Sequence, residues 1–262
     1  MVRNRWNRTG LCVALALTTV FLGCCVNIGG EFRAKAHRSE DLTASPADMT
    51  ALDVSTNVGS ITLKAAQTNE VHIAAKITVR AKTEEEAEAL VHEIRIEAEP
   101  SGDKLVVRAV KPSGFGRNQL SVDFTITAPP ALALQCETNV GDIRIDDFDD
   151  RVAAKTDVGT IHCHGLRRNV DLHTNVGDIH AAYDPDAPAS LRATITTNVG
   201  KIALIAPDEV SARLEAGVNV GSIETGRPLM VSGKIEKSIR ATLGQGEGKI
   251  SLRTNVGSIA IH

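Results

Sequence analysis

Residues 171–180 read DLHTNVGDIH, and the phrase at their centre decides the fold. It recurs as TNVGSI at 56–61, TNVGDI at 138–143, TDVGTI at 156–161, TNVGKI at 197–202, VNVGSI at 218–223 and TNVGSI at 254–259. A weaker half-copy, GEGKI, lies at 246–250. Self-similarity of this kind marks a repeat architecture, in which each unit buries its apolar face only against its neighbours. Aligned on the glycine, the position two residues later is Ile61, Ile143, Ile161, Ile179, Ile202, Ile223 and Ile259. Five residues before it stand Val54, Cys136, Ala154, Leu172, Ile195, Ala216 and Leu252, with polar residues between. This period-2 alternation makes each arm a half-buried strand. Inward parity changes across Asn-Val-Gly, so the chain turns a corner at a residue that tolerates positive φ.

Two folds fit such a corner: a meander of hairpins with Thr-Asn-Val-Gly as a four-residue loop, or a β-solenoid in which the motif bends the chain from one sheet to the next. The valine selects the solenoid. Val58, Val140, Val158, Val176, Val199, Val220 and Val256 fill one place in every full copy, which a solvated hairpin tip does not require. In a solenoid the valine is expected to point inward and stack on the next rung. Asn57, Asn139, Asp157, Asn175, Asn198, Asn219 and Asn255 would form a ladder of like on like, with Gly59, Gly141, Gly159, Gly177, Gly200, Gly221 and Gly257 as backbone devices beside it. The expected fold class is therefore all-β, a β-helix-like solenoid.

Residues 49–130 hold the first copy and an excursion, read as a β-rich N-terminal cap with one short helix. Thr83-Glu84-Glu85-Glu86 is a capping box, and Ala87, Leu90, Val91 and Ile94 share a face. Such a cap covers the open end of a solenoid array expected over 131–262.

The phrase T-N-V-G-x-I, with the ending GQGEGKISLRTNVGSIAI, resembles the bacterial putative-adhesin family of unknown function over roughly residues 50–262. The resemblance implies a β-strand-repeat protein of the cell envelope and brings no catalytic motif or ligand. The N-terminus agrees with that address. Arg3, Arg5 and Arg8 precede a short apolar run, Leu11 to Leu22, as in a secretory signal. Gly23-Cys24 resembles the lipobox of bacterial lipoproteins, with Phe21 where an aliphatic residue is usual. The resemblance implies a signal peptide over 1–23, acyl chains on Cys24, and a tether over 24–48. The membrane, reached through that anchor, is then one partner. Cys25 after Cys24 favours the outer membrane where a cell has two.

Composition narrows the rest. The chain has 262 residues, a formal charge of −3 and 3% aromatics. Nucleic acid is not an expected partner, because neither a basic field nor a stacking platform is evident. No G-x-S-x-G, H-E-x-x-H or P-loop phrase occurs, so no enzyme and no cofactor are expected. His162 and His180, 18 residues apart at one outward offset, and His164 beside them, are weak metal candidates. Arg144 and the acids Asp142, Asp146 and Asp178 lie near them, and a solvated mixed-charge face is the stronger reading. Cys136 and Cys163 fall on inward positions, and a bridge between them stays open. The expected function is non-catalytic: a surface for adhesion or envelope scaffolding, with a protein or cell surface as the further partner. An envelope-stress sensing protein is the alternative, and a sugar-active β-helix enzyme a remoter one.

Overall fold

The computed structural model describes residues 34–45, 49–112, 120–226 and 237–262. The signal peptide, Cys24 and most of the expected tether lie outside them. The described residues form one continuous β-solenoid built of two-arm rungs. In the first copy, β2 (Ala51–Val58) runs to the corner at Gly59 and β3 (Ile61–Ala65) leaves it. The same pair recurs as β8 (Ala133–Val140) with β9 (Ile143–Asp146), β10 (Val152–Val158) with β11 (Ile161–Leu166), β12 (Val170–Val176) with β13 (Ile179–Tyr183), and β14 (Arg192–Val199) with β15 (Ile202–Ile205). In the last two copies the strand is continuous round the corner: β16 (Ala212–Thr225) and β18 (Gly248–Ile261).

From copy to copy, first arms pair with first arms and second arms with second arms, parallel and in register at the motif. Val54 lies beside Cys136, Cys136 beside Ala154, Ala154 beside Leu172 and Leu172 beside Ile195. Ile61, Ile143, Ile161, Ile179, Ile202 and Ile259 form the matching column of the other sheet. Both columns are buried. A full Ile or Leu burial contributes about 1.5–3 kcal/mol, so the stacked columns are the core. Few rings fit between two sheets about 10 Å apart; Phe124 and Phe148 are among the described ones that do.

Chain order and spatial order part company at the C-terminal end. β16 does not lie on β14. β18 lies between them, pairing with β14 on one side and β16 on the other. β17 (Ser238–Leu243) runs antiparallel outside β16 before the chain returns to fill the gap. The half-copy at 246–250 is accordingly no corner. Its Ile250 belongs to a first arm, beside Ala193 and Leu214. Gly248 is there for space: a Cβ would stand 2.2 Å from the Leu191 carbonyl oxygen.

The β-rich excursion with its one helix continues the stack. β5 (Arg95–Ser101) and β6 (Lys104–Val110) form a hairpin, and β6 pairs in parallel with β2. β7 (Leu120–Ala128) pairs in parallel with β3. The first copy is therefore an internal rung, flanked by β6 and β7 on one side and by β8 and β9 on the other. β4 (Val71–Ala81) lies antiparallel on β7, and α1 (Glu84–Glu93) packs its Ala87 and Val91 inward. Thr83 caps this helix by accepting from the Glu86 amide, and the Glu86 carboxylate reaches back to the Lys82 amide.

Part of the expected tether is folded. Ala34–Ala44 is β1, an antiparallel edge strand on β4. Its polar composition fits an edge, where only one face is covered and charges such as Lys35, Arg38, Glu40 and Asp41 discourage further pairing.

Candidate functional site

The corner motif places four residues in four different settings. Threonine is the last inward residue of the first arm. The Thr138 hydroxyl donates to the Gly59 carbonyl at 3.1 Å, and Thr156, Thr174, Thr197 and Thr254 repeat this to Gly141, Gly159, Gly177 and Gly200 at the same distance. These hydroxyls are buried, and each is satisfied by the rung before it.

Asparagine points out and forms a ladder. The Asn139 amide donates to Asn57 at 2.7 Å, Asn175 to Asp157 at 2.9 Å, Asn198 to Asn175 at 2.9 Å, Asn255 to Asn198 at 3.0 Å and Asn219 to Asn255 at 2.9 Å. Every donation runs toward the N-terminal end of the stack. Asp157 interrupts the series: an ionised carboxylate accepts only, so it takes the Asn175 hydrogen bond and returns none to Asn139.

Glycine is required twice over. From Gly59 to Gly257 the motif φ values lie between +135° and +152°, a region close to glycine-only. A Cβ on Gly141, Gly159, Gly177 or Gly200 would also stand 2.0 Å from the carbonyl oxygen of the preceding glycine. The residue after glycine adds one more bond between rungs in some copies. Asp142 accepts from the Thr160 amide at 2.8 Å and Asp178 from the Lys201 amide at 2.7 Å.

Valine does not point inward. Val140, Val158, Val176, Val199 and Val256 are 47–49% exposed and Val220 61%. They line the outer side of the corner in register, each half-covered by its neighbours. The solenoid stands, but the orientation from which it was argued is corrected. A β-branched side chain stacked on its own kind is well placed on a strand whichever face it takes.

The histidines meet as the register requires. His162 lies beside His180, with ring centroids 4.7 Å apart and planes 5° from parallel. With Arg144, Asp146, His164 and Ile205 they line a recess of about 290 Å³. Stacked face to face, the two rings do not aim their nitrogens at one point. Among the described residues no three His, Cys, Asp or Glu side chains form a metal-binding group. Burial, the neighbouring His180 and the Arg144 charge hold the His162 pKa below that of a free imidazole. His164 turns aside to Asp147, 3.5 Å away.

A second recess, about 390 Å³, lies where second arms end and was not anticipated. Asp147, Asp149 and Asp184 line it with Arg167 at their centre, 3.4 Å from Asp149 and 3.1 Å from Asp184. The Asp186 amide, and after it Arg167, hold the Asp184 carboxyl below the usual carboxylate range. The signal for this cluster lies in the turns between rungs, where alignment on the glycine gives no common offset.

Cys136 and Cys163 are both buried free thiols. Burial pushes the Cys163 thiol up to about 12 and raises that of Cys136 as well. They behave as small core hydrophobes. The Tyr183 hydroxyl is buried without a hydrogen-bond partner.

Stacked T-N-V-G-x-I corners, with ladders of Thr, Asn and Gly joining rung to rung, define a two-arm β-solenoid repeat protein. The chain belongs to the Toastrack DUF4097 family, whose model matches residues 18–262. Similar solved structures include a putative cell adhesion protein from Clostridium sporogenes. It is 12% identical with a TM-score of 0.46, over 86% of this chain and 99% of that one. Another is a putative adhesin from Bacteroides fragilis, 18% identical with a TM-score of 0.41, over 86% of this chain and 97% of that one. No curated protein matches the chain.

Proposed function

We propose that this protein is a non-catalytic, adhesin-like β-repeat protein, lipid-anchored in the bacterial cell envelope through Cys24, whose solenoid presents a surface for adhesion. One observation carries the non-catalytic part. The repeated polar groups are spent on each other: threonine on glycine carbonyls, asparagine on asparagine. They build a stiff stack rather than a reaction centre. What varies from rung to rung is the outward rows, and these are the natural place for recognition. The positive n-region, the apolar run and Gly23-Cys24 support the anchor. Two acyl chains are enough for stable residence at a membrane. Among the described residues no helix is long and apolar enough to span one.

Metabolic labelling with a palmitate analogue tests the anchor: the full chain is labelled and Cys24→Ala is not. Labelling that survives the substitution refutes it. Surface display on a non-adherent bacterium tests adhesion, with increased retention on cells or matrix expected. Unchanged retention, together with specific recovery of an inner-membrane signalling protein, favours the sensing alternative instead.

A further inference from the structure

Elsewhere on the outer face of the first-arm sheet, cations sit opposite partners. Lys155 lies beside Glu137 in register and bonds it at 2.9 Å, Arg108 holds Glu97 at 3.1 Å, and Lys104 donates to Gln135 at 3.2 Å. At the C-terminal end the rule is broken. Arg192 of β14, Lys249 of β18 and Arg213 of β16 occupy one register row on three adjacent strands. Arg253 lies two rows along on β18. All four are exposed, and none has a carboxylate within 4 Å among the described residues. Like charges directly opposite destabilise a sheet. Three in a row, where Lys155, Arg108 and Lys104 each have a partner, mark a place shaped by something other than stability.

The row is also built. It lies in a trough of about 690 Å³ that Thr194, Thr196 and Ser251 line with hydroxyls. The turn from Gly244 to Glu247 contributes Gly246 and Glu247 to one wall. Its amides at Gln245 and Glu247 bond the Ser211 hydroxyl at 3.0 and 3.4 Å. Gly246 packs over the stem of Arg213, where a Cβ would lie 3.4 Å from Arg213 Cγ. Glu215 and Glu247 are the acids of the trough, and neither lies within 4 Å of a cation in it.

We propose that this trough binds a linear acidic polysaccharide, a chain of uronic-acid type, across the strands. It rests on the adhesion reading and names its ligand. Cations repeat at the strand spacing of about 4.8 Å, close to the advance of one sugar ring. A polymer with one carboxylate per ring can therefore meet Arg192, Lys249 and Arg213 in turn. The hydroxyls beside them suit sugar hydroxyls, and guanidinium groups suit carboxylates in bidentate contact. No aromatic side chain lines the trough, so it offers no aromatic platform for nucleic-acid bases. Charge complementarity calls for a polyanion, and the missing aromatic platform favours a polysaccharide over an oligonucleotide.

The test is binding of the full chain, purified in detergent, to polygalacturonate, with dextran as the neutral polymer and an oligothymidylate as the other polyanion. The expected result is salt-sensitive binding to polygalacturonate, no binding to dextran, and at least tenfold weaker binding to the oligonucleotide. The triple variant Arg192→Gln, Arg213→Gln, Lys249→Gln is expected to lose at least tenfold in affinity with its circular dichroism unchanged. Lys155→Gln, on the paired half of the face, is expected to bind as the parent does. Equal binding by the triple variant, by dextran or by the oligonucleotide overturns the proposal. Cells that adhere through a chain unable to bind polygalacturonate overturn it alone and leave adhesion standing. Polygalacturonate binding without adherence supports the site and refutes the adhesion reading.

Discussion

Replacing Gly159 by alanine attacks the corner at its tightest point. The φ of +152° lies in a region that costs a side-chain-bearing residue about 1–3 kcal/mol. The new Cβ would start 2.0 Å from the Gly141 carbonyl oxygen, so the rungs must part by about 1 Å to reach even a tight van der Waals contact. That separation strains three bonds across the joint. They are the Thr156 hydroxyl to the Gly141 carbonyl at 3.1 Å, the Gly141 amide to the Val158 carbonyl at 3.0 Å, and the Thr160 amide to Asp142 at 2.8 Å. At about 0.5–1.5 kcal/mol each, the total loss with the backbone cost is about 2.5–7.5 kcal/mol, a large share of the 5–15 kcal/mol typical of a folded domain. Gly102 supplies the control. Its φ is +65° but a Cβ there would meet nothing within 4 Å, so Gly102→Ala is expected to cost only about 1–2 kcal/mol. Urea denaturation of both variants, followed by far-ultraviolet circular dichroism, measures the difference. If Gly159→Ala falls within about 1 kcal/mol of Gly102→Ala, the carbonyl column is not close-packed and the reasoning fails.

Three further outcomes follow from the same geometry. Asp157→Asn gives Asn139 the donor it lacks and joins the two segments of the ladder. A gain of about 0.5–1.5 kcal/mol in the unfolding free energy from urea denaturation is expected, and a loss would contradict the ladder. Tyr183→Phe removes the buried hydroxyl without a partner and is expected to be neutral or stabilising by about 1–3 kcal/mol, with a fall in melting temperature as the adverse result. His162 binds its proton less readily folded than unfolded, so in the window below pH 6.5 the unfolded chain holds more protons. Stability is therefore full above that pH and declines as the pH falls toward the folded value. His162→Gln flattens that slope in denaturation curves taken from pH 8 to pH 5, and an unchanged slope would refute the assignment.

How much of this was readable in the sequence depends on where a constraint repeats. The corner glycines and the isoleucine column stand out because every rung imposes the same φ, the same contact and the same burial. The asparagine ladder was readable for that reason, but the break in it at Asp157 was not, because an aspartate in the series reads as one more rung. The valines were misread because repetition alone does not give a face: a side chain stacked in register is favourable outside as well as inside. Periodicity likewise could not show that β18 fills the gap between β14 and β16, since both orders satisfy the same alternation. β1 was hidden by its edge position, where one polar face resembles a linker. Residues 120–126 were legible as a strand, but that β7 forms part of a rung was hidden because it lacks the motif. There the Val122 carbonyl receives the Thr56 hydroxyl at 3.3 Å and Asp123 receives the Ser60 amide at 2.9 Å, the roles glycine and aspartate play elsewhere. The basic trough was invisible for a related reason. Arg192, Lys249 and Arg213 belong to copies that are neighbours in space in an order the chain does not follow.

That order is the most exposed part of the account, and a cross-link tests it directly. Val199 pairs with Val256, and Val256 with Val220, all on the outer side of the corner. Adjacent parallel strands bring such Cα atoms to about 4.8 Å, within disulfide range, whereas a second strand doubles the distance and places it beyond the roughly 7 Å limit. Under mild oxidation, with peptides mapped by mass spectrometry, Val199→Cys with Val256→Cys is predicted to form the bridge, and Val199→Cys with Val220→Cys is not. A bridge in the second pair and none in the first would show rungs stacked in chain order, and would contradict the solenoid described above.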